Sequence, residues 1–280
     1  MLSPRASEWV SVLVFAGYVA LAWRPGLDRV RQLKISAIGL AGAGITIFPV
    51  LALPILGSSA RYARDWLPCL LLLLLYSQAG QFVTRSDVEL EIRLELLDRR
   101  WVAPWLKWCC ESRIGVWFLT CVEAAYCSYY LAIPMAVGAL YWFGKRRDVD
   151  HFWTVVVLAS LFSCGTLPFI QTRPPRMIGE KWSECLPNGR MRAFNLWILR
   201  HGSIQANTIP SAHVAIASAC AFVLLQAGTG WVAVCFLGIA LGIALGAVGG
   251  RYHYGVDAVL GFLVGAAAFL VGAALQWRFL

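Results

Sequence analysis

The chain has 280 residues, of which 59% are hydrophobic and only 14% are charged, and this composition excludes a soluble globular protein. A formal net charge of +9 would fit a nucleic-acid-binding protein, but the 24 Lys and Arg residues are scattered across short loops. An anionic membrane surface or an anionic substrate accounts for them better, so we predict no nucleic-acid partner. The nine cysteines show neither a disulfide framework nor a zinc-binding spacing.

Eight apolar runs approach or reach the roughly 17 to 25 residues that a membrane-spanning helix needs. They cover about residues 9–23, 33–56, 66–83, 114–143, 152–170, 209–228, 230–250 and 253–275. Trp and Tyr residues cluster at the ends of these runs, as is typical of the membrane interface. The sequence therefore predicts an all-α polytopic membrane protein with about eight transmembrane helices.

The first 65 residues are predicted to form N-terminal transmembrane helices, and residues 66–280 a membrane domain that carries the chemistry. Within that domain, acids and Arg residues alternate with Leu and Ile over residues 84–113, which predicts an amphipathic segment at the membrane surface. Residues 171–208 form a long polar loop, and its part from Met177 to Asn207 shows no periodicity. Loops of this length are usually functional or disordered.

The fourth apolar run contains one acid, Glu123, beside the aromatic residues Tyr126, Tyr129 and Tyr130. An acid within a membrane span usually faces the interior of the helix bundle. Two interpretations remain open at this point. Glu123, Tyr126 and Tyr130 line a substrate cavity, or Glu123 forms a hydrogen bond with a neighbouring helix.

The sixth run begins with the motif Asn207-Thr-Ile-Pro-Ser-Ala-His213. Thr208 is suited to cap the helix and Pro210 to occupy its first turn. Ser211 and His213 would then lie beside unpaired amide groups at the helix N-terminus, where an anion binds readily.

Three ionisable residues, Arg251, His253 and Asp257, interrupt the apolar sequence near the C-terminus. Such residues at membrane depth indicate a functional site, although an interfacial basic and aromatic anchor is the alternative. The spacing of four places His253 and Asp257 on one helix face, where the carboxylate can fix the imidazole tautomer and leave the second nitrogen as a nucleophile. The planar guanidinium of Arg251 fits phosphate oxygens.

The order of the helices predicts that three motifs meet on one face of the membrane. They are Thr172-Arg-Pro-Pro-Arg176 after the fifth run, the motif that begins the sixth run, and the motif of Arg251, His253 and Asp257. If the fifth helix ends on one side of the bilayer, the sixth begins there, the seventh returns there and the eighth begins there. Glycines recur every four residues in the seventh run, at Gly238, Gly242, Gly246 and Gly250, and Gly261 and Gly265 follow in the eighth. Such repeats let helices approach closely, and we expect them to hold the helices of His213 and His253 together.

Together, Arg173-Pro174, Pro210-Ser-Ala-His213 and His253 with Asp257 resemble the type 2 phosphatidic acid phosphatase (PAP2) superfamily. The resemblance covers roughly residues 60–272 and is closest to the branch of inositol phosphorylceramide synthases and sphingomyelin-synthase-like transferases. That branch often has a Pro-Pro-Arg ending, which favours Arg176 over Arg173. The phosphatase signature also has a Lys at the position of Thr166 and a Ser-Arg pair near Ala247, and this sequence has neither.

The resemblance implies a PAP2-like helical core and a two-step phosphoryl transfer from a lipid phosphate. His253 would attack phosphorus, Asp257 would hold its tautomer, and His213 would serve as acid and then as base. The phosphate-binding residues would be Arg251, Arg173, Arg176 and Ser211. No metal or cofactor is expected, because the motif region offers a single acid, Asp257, and Mg²⁺ sites rely on carboxylates.

Hydrolysis of the lipid phosphate is the first expectation, with transfer of a head group to an alcohol acceptor as the alternative and a non-enzymatic transporter as the second alternative. The compact basic cluster of residues 145–147 favours the cytoplasmic side for the opposite face. The site of this integral membrane protein is therefore expected on the extracytoplasmic or lumenal face.

Overall fold

The computed structural model of the chain describes residues 3–178, 186 and 189–279. Over these residues the regular structure is helical, apart from one isolated bridge between Thr172 and Asn207. The α-helices are α1 Ala6–Ala22, α2 Arg29–Leu51, α3 Leu53–Leu56, α4 Ser58–Trp66, α5 Pro68–Gly80, α6 Val88–Trp101, α7 Ala103–Glu111, α8 Arg113–Trp142, α9 Val149–Cys164, α10 Arg190–Gly202, α11 Ala212–Gln226, α12 Trp231–Gly249 and α13 Gly255–Phe279.

Seven of the eight apolar runs become one helix each, namely α1, α5, α8, α9, α11, α12 and α13, and the second run, residues 33–56, divides into α2 and α3. Helices α2, α8, α12 and α13 are long and apolar enough to cross a membrane, and α1, α5 and α11 are shorter apolar helices. The all-α polytopic membrane fold is thereby confirmed.

Helix α11 lies at the centre of the bundle and packs against α8, α9, α12 and α13. Glycines of α13 make one of these contacts close: a methyl group on Gly261 would lie 2.7 Å from the Ser211 carbonyl oxygen, and one on Gly265 would lie 2.6 Å from that of Ala215. Residues Gly242 and Gly246 of α12 instead face α8. The expectation that the glycine repeats join the two histidine-bearing elements holds for α13 and is wrong for α12.

The predicted amphipathic segment is two helices, α6 and α7, and α6 is oriented with its acids toward the protein. Glu91, Glu95 and Asp98 are each less than 5% exposed. The large apolar side chains on the other side are about half exposed or more: Val88, Ile92, Leu96, Leu97 and Trp101. This arrangement suits a helix whose apolar face enters the membrane interface.

The loop of residues 171–208 contains a helix that the sequence did not indicate. Helix α10 covers 13 residues of the stretch from Met177 to Asn207. Buried contacts from Asn195 and Leu199 anchor it, whereas Phe194 and Trp197 are exposed. The proposed division of the chain after residue 65 stays a prediction.

The end of the bundle opposite the motifs is held by a buried carboxylate, Asp65, which is 1% exposed. It accepts hydrogen bonds from Arg5, Tyr141 and Arg146. These contacts join α1, α4 and the turn after α8, and they leave the motif end of the bundle to be organised separately.

Candidate active site

Two histidines face each other at one end of the bundle. His213 is the second residue of α11, and His253 lies in the turn between α12 and α13. Their ring centroids are 5.7 Å apart, and the Nδ1 atom of each ring has no hydrogen-bond partner among the described residues. The backbone N–H of Arg176 donates to the carbonyl of Arg251 at 2.9 Å, which brings the third motif to the same place. The predicted meeting of the three motifs is confirmed.

Asp257 lies behind His253 and is fully buried. Its Oδ2 atom is 3.8 Å from Nδ1 of His253, and it accepts hydrogen bonds from the Asn207 side chain at 2.8 Å and from the Tyr254 backbone at 3.0 Å. The carboxylate is thus fixed on the Nδ1 side of the ring, which leaves Nε2 of His253 as the nitrogen remote from Asp257.

Asn207 contacts the candidate site but was not among the site residues predicted from the motifs. Its backbone N–H and its side-chain amide both bind Thr172, and the same amide binds Asp257. Asn207 therefore ties the loop before α11 to the carboxylate of α13. The available signal was its position at the head of the Pro-Ser-Ala-His motif.

Tyrosines of α8 surround His213. The ring centroids of Tyr129, Tyr126 and Tyr130 lie 4.4, 5.0 and 6.3 Å from that of His213. Tyr126 also stacks on Tyr252 at 4.6 Å. The two predicted cavity tyrosines thus contact a predicted catalytic histidine, together with Tyr129.

Arg251 lies in the turn between α12 and α13 and pairs with acids of α6. It adopts a positive φ of 59° and is 1% exposed. Its guanidinium forms ion pairs with Glu95 at 2.6 Å and Asp98 at 2.5 Å on α6. Asp98 also accepts from the backbone N–H of Gly255, the first residue of α13. Two buried carboxylates thus pair with Arg251, and the phosphate-binding role predicted for it stays a prediction.

The two arginines of the Arg-Pro-Pro-Arg sequence differ in whether a carboxylate of the protein pairs with them. Arg173 is 44% exposed and forms an ion pair with Glu91 at 2.7 Å. Arg176 has no carboxylate partner among the described residues, and its guanidinium lies 5.9 Å from the ring of Tyr252. Burial lowers the pKa of Arg176 from its ordinary value. Arg176 is thus a partly desolvated cation whose charge, among the described residues, faces aromatic groups.

Ser211 precedes α11 as its N-cap, and its buried hydroxyl has no partner among the described residues. The Thr208 hydroxyl accepts from the N–H of Ala212, the first residue of α11, but the N-cap position belongs to Ser211 and not to Thr208 as predicted. Pro210 lies before the helix and not in its first turn.

Glu123 lines a cavity of only about 20 Å³, together with Arg192, and its carboxylate is engaged by neighbouring side chains. Its carboxylate accepts from Arg192 at 3.0 Å, Asn195 at 2.5 Å and Tyr252 at 2.7 Å. Of the two interpretations, the structure favours the hydrogen bond to a neighbouring helix. Glu123 fastens α10 and the α12–α13 turn to α8, and so holds α10 beside the site.

The fold and the site define a polytopic helical membrane protein with a pair of facing histidines backed by a buried aspartate. A family model of the PAP2 superfamily matches residues 93–271, more than half of the chain, and the chain therefore belongs to the PAP2 superfamily. No curated protein and no solved structure matches the chain. Membership of the superfamily makes this a phosphatase- or phosphotransferase-type enzyme of lipids. The narrower branch stays a prediction.

Proposed function

We propose that the protein hydrolyses a membrane lipid phosphate or diphosphate through a phosphohistidine on His253. The observation that supports this most is the pair of histidine rings 5.7 Å apart with Asp257 on the Nδ1 side of only one of them. An imidazole backed by a carboxylate is suited to become cationic during attack, and the other imidazole is placed to move a proton.

In the first half of the proposed reaction, Nε2 of His253 forms a bond to phosphorus as the bond from phosphorus to the lipid oxygen breaks. His213 gives its proton to that departing oxygen. In the second half, His213 takes a proton from water, the water oxygen attacks phosphorus, and the nitrogen–phosphorus bond breaks. Asp257 stabilises the imidazolium in both halves. The distance of 3.8 Å between Nδ1 and Oδ2 would shorten to a hydrogen bond when the ring becomes charged.

Charge on the phosphoryl oxygens would be stabilised mainly by Arg176. It carries no carboxylate partner among the described residues, and its partial burial strengthens its interaction with an anion. The Ser211 hydroxyl and the amides at the start of α11 supply further donors. Arg173 and Arg251 would act indirectly, because their ion pairs with α6 fix the two loops that carry Arg176 and His253.

Replacing Arg176 with glutamine should lower kcat/KM for lipid phosphate by roughly 10²- to 10³-fold, the usual effect of losing a charge-stabilising donor. The matched control is Arg173→Gln, three residues away, which should lower it by less than about tenfold. Phosphate release by the purified variants measures both. If the Arg173 variant lost more activity than the Arg176 variant, the phosphate-binding role would move to Arg173.

Head-group transfer is the second candidate, because α10 is fastened beside the site by Glu123 and could hold an alcohol there. A positioned hydroxyl can outcompete bulk water.

The deciding assay supplies a phosphorus-labelled lipid phosphate to the purified protein, with and without diacylglycerol, ceramide or inositol. We expect free phosphate in every case. A new labelled phosphate monoester of the acceptor that forms only with acceptor, without matching free phosphate, would replace the hydrolase with a transferase. If neither free phosphate nor a new labelled monoester formed in any of these mixtures, the transporter would be favoured.

We also propose that the site faces the extracytoplasmic or lumenal side. The same assay on sealed vesicles of known orientation reports the face, when it uses a lipid phosphate that cannot cross the membrane. Hydrolysis by right-side-out vesicles without permeabilisation is expected, and hydrolysis only after permeabilisation would reverse the orientation.

A further inference from the structure

A lateral gap separates α12 and α13, although these helices follow each other in the chain. Helix α12 packs mainly on α8 and α11, and α13 packs mainly on α11 and α9. The glycines described above account for this: Gly246 of α12 brings its backbone against Val122 of α8, and Gly265 of α13 brings its backbone against α11. The two helices are therefore drawn toward different neighbours and away from each other.

The gap is a cavity of about 440 Å³ with a largely apolar lining. One wall is α12 from Leu237 to Val248, the other is α13 from Gly255 to Leu263, and the floor is Val214 and Ser218 of α11. Trp105 of α7 contributes at the end nearest the site. Leu241 and Val259 on the rims are each 62% exposed, so the cavity is a groove that opens sideways toward the lipid.

The groove begins at the level of the two histidines. Val214 directly follows His213, and Gly255 lies two residues after His253. From Val248 to Leu237 the α12 wall descends eleven residues, or roughly 16 Å at 1.5 Å per residue. The hydrocarbon core of a bilayer is about 30 Å thick. The groove therefore runs from the site to the depth of one leaflet.

We propose that this groove holds one hydrocarbon chain of the substrate lipid while its phosphate lies between His213 and His253. The proposal rests on the proposed function, since it takes the substrate to be a lipid phosphate. A chain is the occupant that fits, because the lining is apolar, the depth is that of one leaflet, and the open side faces the membrane from which a lipid enters. Chain binding here would set the position of the phosphate, and a substrate with a very short chain would lose this positioning.

Ala244, in the α12 wall of the groove, is a position at which a larger side chain would block the groove. Ala244→Phe should lower kcat/KM for dioleoyl phosphatidic acid at least tenfold, and should leave that for dibutyryl phosphatidic acid within about twofold of the wild type. Val234→Phe is the matched control, because Val234 lies on the same helix, is 63% exposed and does not line the groove. Equal loss for both substrates, or no loss for the long one, would overturn the proposal. A polyprenyl phosphate in the same assay shows whether the chain is acyl or isoprenoid.

A photolabelling experiment separates this proposal from the proposed function. Phosphatidic acid with a diazirine at mid-chain is bound to the His253→Ala variant and irradiated. Labelling should fall on residues 237–248 or 255–263 and be displaced by unlabelled phosphatidic acid. Such labelling without any phosphate release by the wild type would support the groove and refute the lipid phosphatase. Labelling elsewhere would refute the groove, and so would equal labelling by a phosphatidylcholine probe that phosphatidic acid does not displace.

Discussion

Replacing His253 with alanine should lower phosphate release from a lipid phosphate by roughly 10⁴-fold or more, because the covalent route then has no nucleophile. His213→Ala should cost roughly 10²- to 10⁴-fold through the loss of acid and base catalysis. His201→Ala is the matched control and should keep near-normal activity, since His201 is exposed and its contacts among the described residues are with the backbone carbonyl and the ring of Trp197 in its own helix.

The two histidines can be told apart with a substrate whose leaving group needs no proton. An aryl phosphate should react with the His213→Ala variant much faster than the lipid phosphate does. The phosphohistidine on His253 should then accumulate in this variant, because no base activates the water that hydrolyses it. The His253→Ala variant should gain nothing from the aryl leaving group. If the gain instead appeared in the His253 variant, the roles of the two residues would be exchanged.

Replacing Arg251 with methionine should destabilise the folded protein by about 3–5 kcal/mol, because Glu95 and Asp98 would remain buried without their cation. The measurements are the thermal unfolding midpoint in detergent and the fraction of protein that stays monodisperse. Lys107→Met, which removes a cation from an exposed pair on α7, should change the midpoint little.

A compensated variant tests whether Arg251 has a second role at the phosphate. Combining Arg251→Met with Glu95→Gln and Asp98→Asn removes the charge and its two partners together, so the folded state should recover. If Arg251 acts only by holding the turn, phosphate release should recover as well. A triple variant that folds normally but stays inactive would return Arg251 to the phosphate-binding residues.

The helices that cross the bundle were predictable because apolar length alone specifies them. Seven of the eight runs became one helix each and the second became two, and the alternation of helix ends across the bilayer placed His213 and His253 together. The isolated helix α10 was not predictable in this way. It is anchored by an asparagine and a leucine, Asn195 and Leu199, and too few of its apolar residues are buried to give a helical period.

Which arginines pair with acids of the protein could not be predicted from the sequence either. A lone cation near a histidine motif can serve a ligand or a carboxylate of the protein, and the motif does not say which. Arg251 and Arg173 find their acids on α6, far away in the chain, whereas Arg176 finds none among the described residues. The same acids indicated an amphipathic helix at the membrane surface, whereas in the structure the acidic face of α6 is turned toward the protein.

The pairing of Arg251 with α6 also fixes when the site can be assembled during synthesis. Arg251 follows Asp98 by 153 residues and Glu95 by 156. Until the ribosome has produced that arginine, Asp98 and Glu95 lack the guanidinium that pairs with both of them in the folded protein, and Glu95 has Arg99 of its own helix 3.9 Å away. We therefore expect α6 to close over the bundle late in biogenesis, because a chain stalled before the turn between α12 and α13 has neither the proposed nucleophile nor the arginine that pairs with this helix.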